Sequence, residues 1–225
     1  MAPKAGTGTV RATDGRVPGR RGIATRQRLL DCTRELLSKR TYREIKVIDI
    51  AREAGTSPAT FYQYFPDVEQ AVLLLAEGLD ADVLPIAELI RAGDWSSAGG
   101  PDTARSVVRR FLEYWDAHRS IFRVVDLATE EGDLRFQRLR VRALGEITNA
   151  LAETIADQQR AGRLGPEVDA TAEAFVLIAM LAHCAAHQYG FEFWGVRTSA
   201  QVETIARILY DSITGERMPA PARGR

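Results

Sequence analysis

Cysteine and histidine are sparse in this sequence of 225 residues, two and three respectively. Its two cysteines, Cys32 and Cys184, lie far apart with no C-x-x-C spacing, which excludes a disulfide-stapled scaffold and fits a reducing compartment. No apolar run reaches membrane-spanning length; the most apolar stretch, 174–182, is too short to cross a bilayer. No N-terminal apolar run resembles a signal peptide, so the expected location is the cytoplasm, with no membrane partner. Nucleophile motifs, a phosphate-binding glycine loop and paired catalytic carboxylates are all missing. The expectation is therefore a protein that is not an enzyme and needs no cofactor. Strand-period alternation and internal repeats are absent too, which leaves an all-α fold.

What the chain does have is a polarised charge distribution. Its 30 basic and 30 acidic side chains cancel overall. Residues 1–66 nevertheless carry 13 Lys and Arg against 6 Asp and Glu, a surplus of seven positive charges. Residues 67–225 carry 17 against 24, a deficit of seven. A basic third can approach phosphates, and an acidic remainder is repelled by them, so the two parts are expected to do different jobs.

Residues 1–22, rich in Gly, Thr, Pro and Arg, read as a disordered basic arm, either a solubilising tail or an arm that reaches a DNA groove. From Ile23 the pattern is helical, with Leu29, Cys32, Thr33, Leu36 and Leu37 on one face. After a break at Thr41 and Tyr42, Val47, Ile50, Ala51 and Ala54 repeat that spacing, and Gly55 ends the second helix. Ser57 suits an N-cap and Pro58 the first position of a short helix through Phe65, which Pro66 stops. Asp67, with Gln70 three residues on, caps a fourth helix running to about Arg91. Two short helices joined by a glycine turn in a basic segment form a helix-turn-helix, whose second helix must protrude to enter a major groove. Phe61 and Phe65, at i and i+4, are expected to anchor it from below.

Residues 25–75 resemble the DNA-binding domain of the TetR/AcrR family of bacterial regulators. The resemblance rests on Thr25-Arg26-x-x-Leu29-Leu30-Asp31, on Val47-x-x-Ile50-Ala51-x-x-Ala54-Gly55, and on the run from Ser57 to Phe65. It implies that Thr56, Ser57, Ala59 and Gln63 approach bases. It implies that Thr60, Tyr62 and Tyr64 meet phosphates or bases, and that Lys46 meets the backbone. Three positions depart from the pattern. Thr41 replaces a common glycine, so the first turn is either strained or different; Lys46 replaces a capping hydroxyl; Val68 replaces a lysine that would meet a phosphate.

The resemblance further implies that the rest of the chain senses a small molecule and dimerises. Helices are read near 102–117, 120–130, 134–161, 170–188 and 199–214, with an aromatic turn at 190–198. The expected organisation is an arm at 1–22, a three-helix DNA-binding domain at 23–66, a helical ligand-binding and dimerisation domain at 67–214, and a disordered tail at 215–225, about nine helices in all. The run 175–182 is apolar on every face and should be buried all round. A four-helix homodimer interface built from helices 170–188 and 199–214 would achieve that. Candidate effector contacts are Phe111, Tyr114, Trp115, Phe122, Met180, His183, Cys184, His187, Phe191 and Trp194, a mostly apolar set with few polar groups, though each alone reads more readily as core. The effector expected is a small, largely apolar molecule. His183 and His187 have a spacing that can bind zinc, but no third ligand is evident, so no metal is expected. The functional expectation is a repressor that holds a palindromic double-stranded DNA operator as a homodimer and releases it on binding its effector. The alternative is a ligand-independent DNA-binding activator or architectural protein.

Overall fold

The long apolar stripe of the first helix sets the fold. Its Leu29, Leu30, Cys32, Thr33, Leu36 and Leu37 are buried, and the helix packs against the second, fourth and seventh helices. The computed structural model describes residues 19–219. In chain order it contains α1 (Arg20–Lys39), a 3-10 turn (Tyr42–Glu44), α2 (Val47–Glu53), α3 (Pro58–Tyr62) and α4 (Val68–Glu77). There follow α5 (Asp80–Ala92), α6 (Gly100–Ala117), α7 (Arg119–Glu130), α8 (Leu134–Ala143) and α9 (Gly145–Arg160). The last three are α10 (Ala170–Ala186), α11 (Gln188–Phe193) and α12 (Thr198–Thr214). The described residues are all-α, and no helix among them is long and apolar enough to cross a membrane.

The twelve α-helices exceed the expected nine for local reasons. The chain stops being helical at Gly78 and restarts at Asp80, so the helix expected to reach Arg91 is two. The helix expected over 134–161 breaks at Leu144, and α9 begins at Gly145. The aromatic turn contains a helix of its own, α11. The termini also differ from expectation. The proposed arm lies outside the described residues up to position 18, and from Arg20 the chain is already helical. Of the expected tail, residues 220–225 lie outside the described residues. Residues 215–219 turn back on the fold: Gly215 takes the left-handed conformation, Met218 is buried, and its backbone N–H donates to Asp211 Oδ1 at 2.7 Å.

Beyond the first four helices, α5 packs on α9 and α6, α9 on α10, and α6 on α12. The approach of α6 to α12 is close enough to require a glycine, because a Cβ at Gly100 would stand 2.5 Å from the Tyr210 ring. One turn further, Arg105 makes a fork to Glu203, Nε to Oε2 at 2.7 Å and the second guanidinium nitrogen to Oε1 at 2.9 Å. This pairing holds the Glu203 carboxyl below its ordinary range. A carboxylate with a depressed folded pKa contributes stability above its unfolded pKa and loses it as pH falls through the folded value. Because Glu203 is partly exposed, Arg105→Ala should cost only about 1 kcal/mol at neutral pH. Urea unfolding of both proteins at neutral and at strongly acid pH checks this: the gap should shrink in acid.

Candidate nucleic-acid interface

The turn that admits α3 depends on Gly55. Its φ is +63°, and the Thr56 N–H reaches back to the Ala51 carbonyl at 2.9 Å, closing α2. An added methyl would meet nothing within 4 Å, so a substitution here is penalised by backbone conformation alone. Gly55→Ala should therefore destabilise the DNA-binding unit by about 1 kcal/mol, read as a lower thermal midpoint.

Ser57 then caps α3: its Oγ accepts the Thr60 N–H at 3.2 Å and lies 3.0 Å from the Thr60 hydroxyl oxygen. Phe61 and Phe65 are fully buried with ring centres 5.2 Å apart, so the short helix stands on an aromatic base. The Arg26 guanidinium of α1 sits over the Phe65 ring, 5.4 Å from its centre, and burial lowers its pKa. The apolar period of α1 leaves Arg26 off the buried stripe. Its place in the Thr25-Arg26 pair of the resemblance was the available signal that it positions the reading helix. Asp67 caps α4 through the Gln70 N–H at 2.7 Å, and Val68 packs against the core, so no cation stands at that position.

Of the eight expected DNA contacts, Lys46, Ser57, Ala59, Tyr62 and Gln63 are exposed. They share one region because α2 and α3 pack against each other. Thr56, Thr60 and Tyr64 are half-buried, and Tyr64 leans on Phe65 with ring centres 6.3 Å apart. Thr60 and Tyr64 therefore also serve the structure of the reading head. The strain considered at Thr41 does not arise. Its φ of −70° and ψ of 145° are extended, and no non-glycine residue among those described has a positive φ. Its N–H donates to Glu44 Oε2 at 3.2 Å, so Thr41 starts the 3-10 turn. At Lys46 the missing hydroxyl cap is replaced from the other side, where the Lys46 N–H meets Asp49 Oδ2 at 3.3 Å.

The ten expected effector residues divide between buried, half-buried and exposed positions. Phe111, Tyr114, Trp115 and Phe122 are buried in the joint between α6 and α7, where Trp115 and Phe122 stack at 4.1 Å. Met180, Cys184 and Phe191 are half-buried, while His183, His187 and Trp194 are exposed on α10 and just past α11. Composition grouped these residues as mostly apolar, but helical spacing cannot say which stripe faces which. Two concavities among the described residues lie elsewhere. One of about 390 Å³ runs beside α3, between Tyr42, Val47, Tyr62 and Asp67. The other, of about 120 Å³, separates Leu37 and Arg40 from Arg123 and Leu127 of α7.

In the single chain, α10 is not buried on all sides as expected. Ala174, Leu177, Ile178, Leu181, Ala182 and Ala185 face inward. On the opposite stripe Phe175 is 53% and Val176 64% exposed, and Ala179, His183 and His187 are open beside them.

Residues 29–73 match the family model described as bacterial regulatory proteins, tetR family, and residues 86–220 match the tetracyclin repressor-like, C-terminal domain. Among similar solved structures, the Thermus thermophilus FadR, a TetR-family repressor in complex with lauroyl-CoA, is 21% identical. The match covers 88% of this chain and 99% of that one, with a TM-score of 0.56. The Bacillus subtilis FadR in complex with stearoyl-CoA is 14% identical over 84% and 97% of the two chains, with a TM-score of 0.61. Salmonella enterica GusR is 18% identical over 86% and 95%, with a TM-score of 0.61.

Proposed function

Because the chain belongs to the tetR family of bacterial regulatory proteins, we propose that it is a ligand-responsive cytoplasmic repressor, which holds a palindromic operator as a homodimer and releases it on binding a largely apolar small molecule. The observation that carries this reading is the pairing, in one chain, of a capped reading helix with an apolar α10 stripe that the chain itself leaves uncovered. A second copy laid on that stripe, helped by α12, would bury Phe175 and Val176. It would also set two reading helices about one turn of DNA apart. Ala59, Tyr62 and Gln63 then face base edges, with Ser57, Thr56, Thr60 and Tyr64 around them. Lys46 lies against a phosphate, which fixes register rather than sequence.

Release requires a ligand that binds one arrangement of the two heads better than the other. The route for it is short. α1 rests on α7, and α4 rests on α7 and α8. Arg43 of the 3-10 turn is ion-paired with Glu131 at the end of α7, and Arg142 of α8 approaches Glu77 of α4 at 3.9 Å. A ligand that shifts α7 or α8 therefore moves the head. The two FadR relatives were solved with acyl-CoA thioesters, which makes lauroyl-CoA the first effector to try. Fluorescence anisotropy of a labelled operator tests the reading: saturable release by lauroyl-CoA, through its apolar acyl chain, or by a wholly apolar compound supports it. The close packing of Phe111, Trp115 and Phe122 favours the second reading, a DNA-binding activator or architectural protein without a ligand. Affinity indifferent to every apolar compound would select it.

A further inference from the structure

Two of the three histidines in the chain stand together on the open stripe of α10. The rings of His183 and His187 stack with centres 4.1 Å apart and planes 25° from parallel. His187 Nδ1 lies 3.0 Å from the His183 carbonyl oxygen. The third histidine, His118, is elsewhere, at the elbow of α6 and α7, with Nε2 3.2 Å from Asp82 Oδ2. Around the stacked pair the stripe is apolar, with Phe175, Val176, Ala179 and Met180 preceding it on the same face.

The surroundings give these imidazoles no counter-charge. Charged side chains on the neighbouring elements are Glu173 of α10, Glu192 of α11, and Glu203, Arg207 and Asp211 of α12. Among the described residues, none of these carboxylates comes within 4.0 Å of either histidine, and Glu203 is taken by Arg105. The titratable neighbour is Tyr189, whose ring centre is 6.0 Å from that of His187. α6 and α9 pack on the other, buried face of α10. A metal would need a further ligand, and no group of three metal-ligating side chains exists among the described residues.

We propose that the His183–His187 pair makes assembly of the homodimer proton-sensitive: the dimer closes over neutral imidazoles and comes apart as they are protonated. This inference rests on the dimer reading above. The physical argument is desolvation. In an open protomer the charged form of each exposed ring is hydrated by water. Under a second copy the charged form loses its hydration with no carboxylate to replace it, so the dimer's pKa falls below the protomer's. The sign follows: the dimer binds fewer protons than two protomers, so acid favours protomers, and the loss grows as pH falls through the ordinary imidazole range, about 6.5. Within one protomer the stacked rings repel each other's charge, so the first proton dominates. Exclusion of one proton per protomer raises the dimer dissociation constant about 100-fold between about pH 7.5 and about pH 5.5.

Sedimentation velocity of the fluorescently labelled full chain at these two pH values, from picomolar to micromolar, reads the constant. Circular dichroism confirms that the fold persists in acid. The expected result is the rise just given, together with a constant nearly independent of pH in His183→Gln/His187→Gln, which keeps His118. A wild-type dimer whose constant changes less than about fivefold, or which stays assembled throughout, overturns the proposal while leaving the dimer standing. So does a double variant that keeps the full pH dependence. A chain that is monomeric at both pH values defeats the dimer reading itself.

Discussion

Phe175→Glu is expected to convert the protein to a folded monomer and to weaken operator binding by at least about 100-fold. Phe175 is more than half exposed in the protomer, so the change leaves the protomer core untouched. In a dimer the new carboxylate would be buried against an apolar surface with no cation facing it, a cost of several kcal/mol on each side of the two-fold axis. The loss on DNA follows from linkage. Two heads on one dimer bind the second half-site as an intramolecular event, an advantage of about 10²–10⁴ that a monomer forfeits. Sedimentation and anisotropy on the same preparation separate the steps. A dimer that persists in Phe175→Glu would place the interface elsewhere.

The second large effect is expected at Phe61, which touches no DNA. Its ring is fully buried, packs against Phe65 and forms the floor of α3. Truncation to alanine should cost about 3–5 kcal/mol, as large aromatic-to-alanine changes in cores do. A five-residue helix cannot persist on its own propensity, so the reading surface should melt with its floor. The expected signature is loss of operator binding with the dimer intact, since α10 and α12 pack mainly on α6 and α9. Tyr62→Ala, at an exposed position on the same helix, should reduce operator affinity with little change in stability.

These two sites differ in how they could be read from sequence. The reading head was legible because its determinants are local. Ser57, Pro58, Gly55 and Asp67 are caps and stops whose chemistry acts within a few residues, and the structure has each in its expected place. Thr41 shows the limit of that logic, since a departure from a pattern can be met by another backbone path. The second domain was legible as helices but not as a packing. Phe111 and His183 both lie on apolar stripes, yet one faces the core and the other faces out. Period alone gives a stripe no partner. The run 175–182 was read as buried all round because its composition suits an assembly, and the single chain covers only half of it.

The central claim, that residues 47–65 read DNA sequence, is tested most directly by footprinting. Genomic fragments retained by the purified protein at moderate salt would be sequenced and then protected against nuclease with wild-type protein and with Gln63→Ala. The account predicts a protected inverted repeat, with altered base preference at symmetric positions in the variant. Retention of fragments with no shared sequence, or an identical footprint and base preference in Gln63→Ala and Tyr62→Ala, would contradict it.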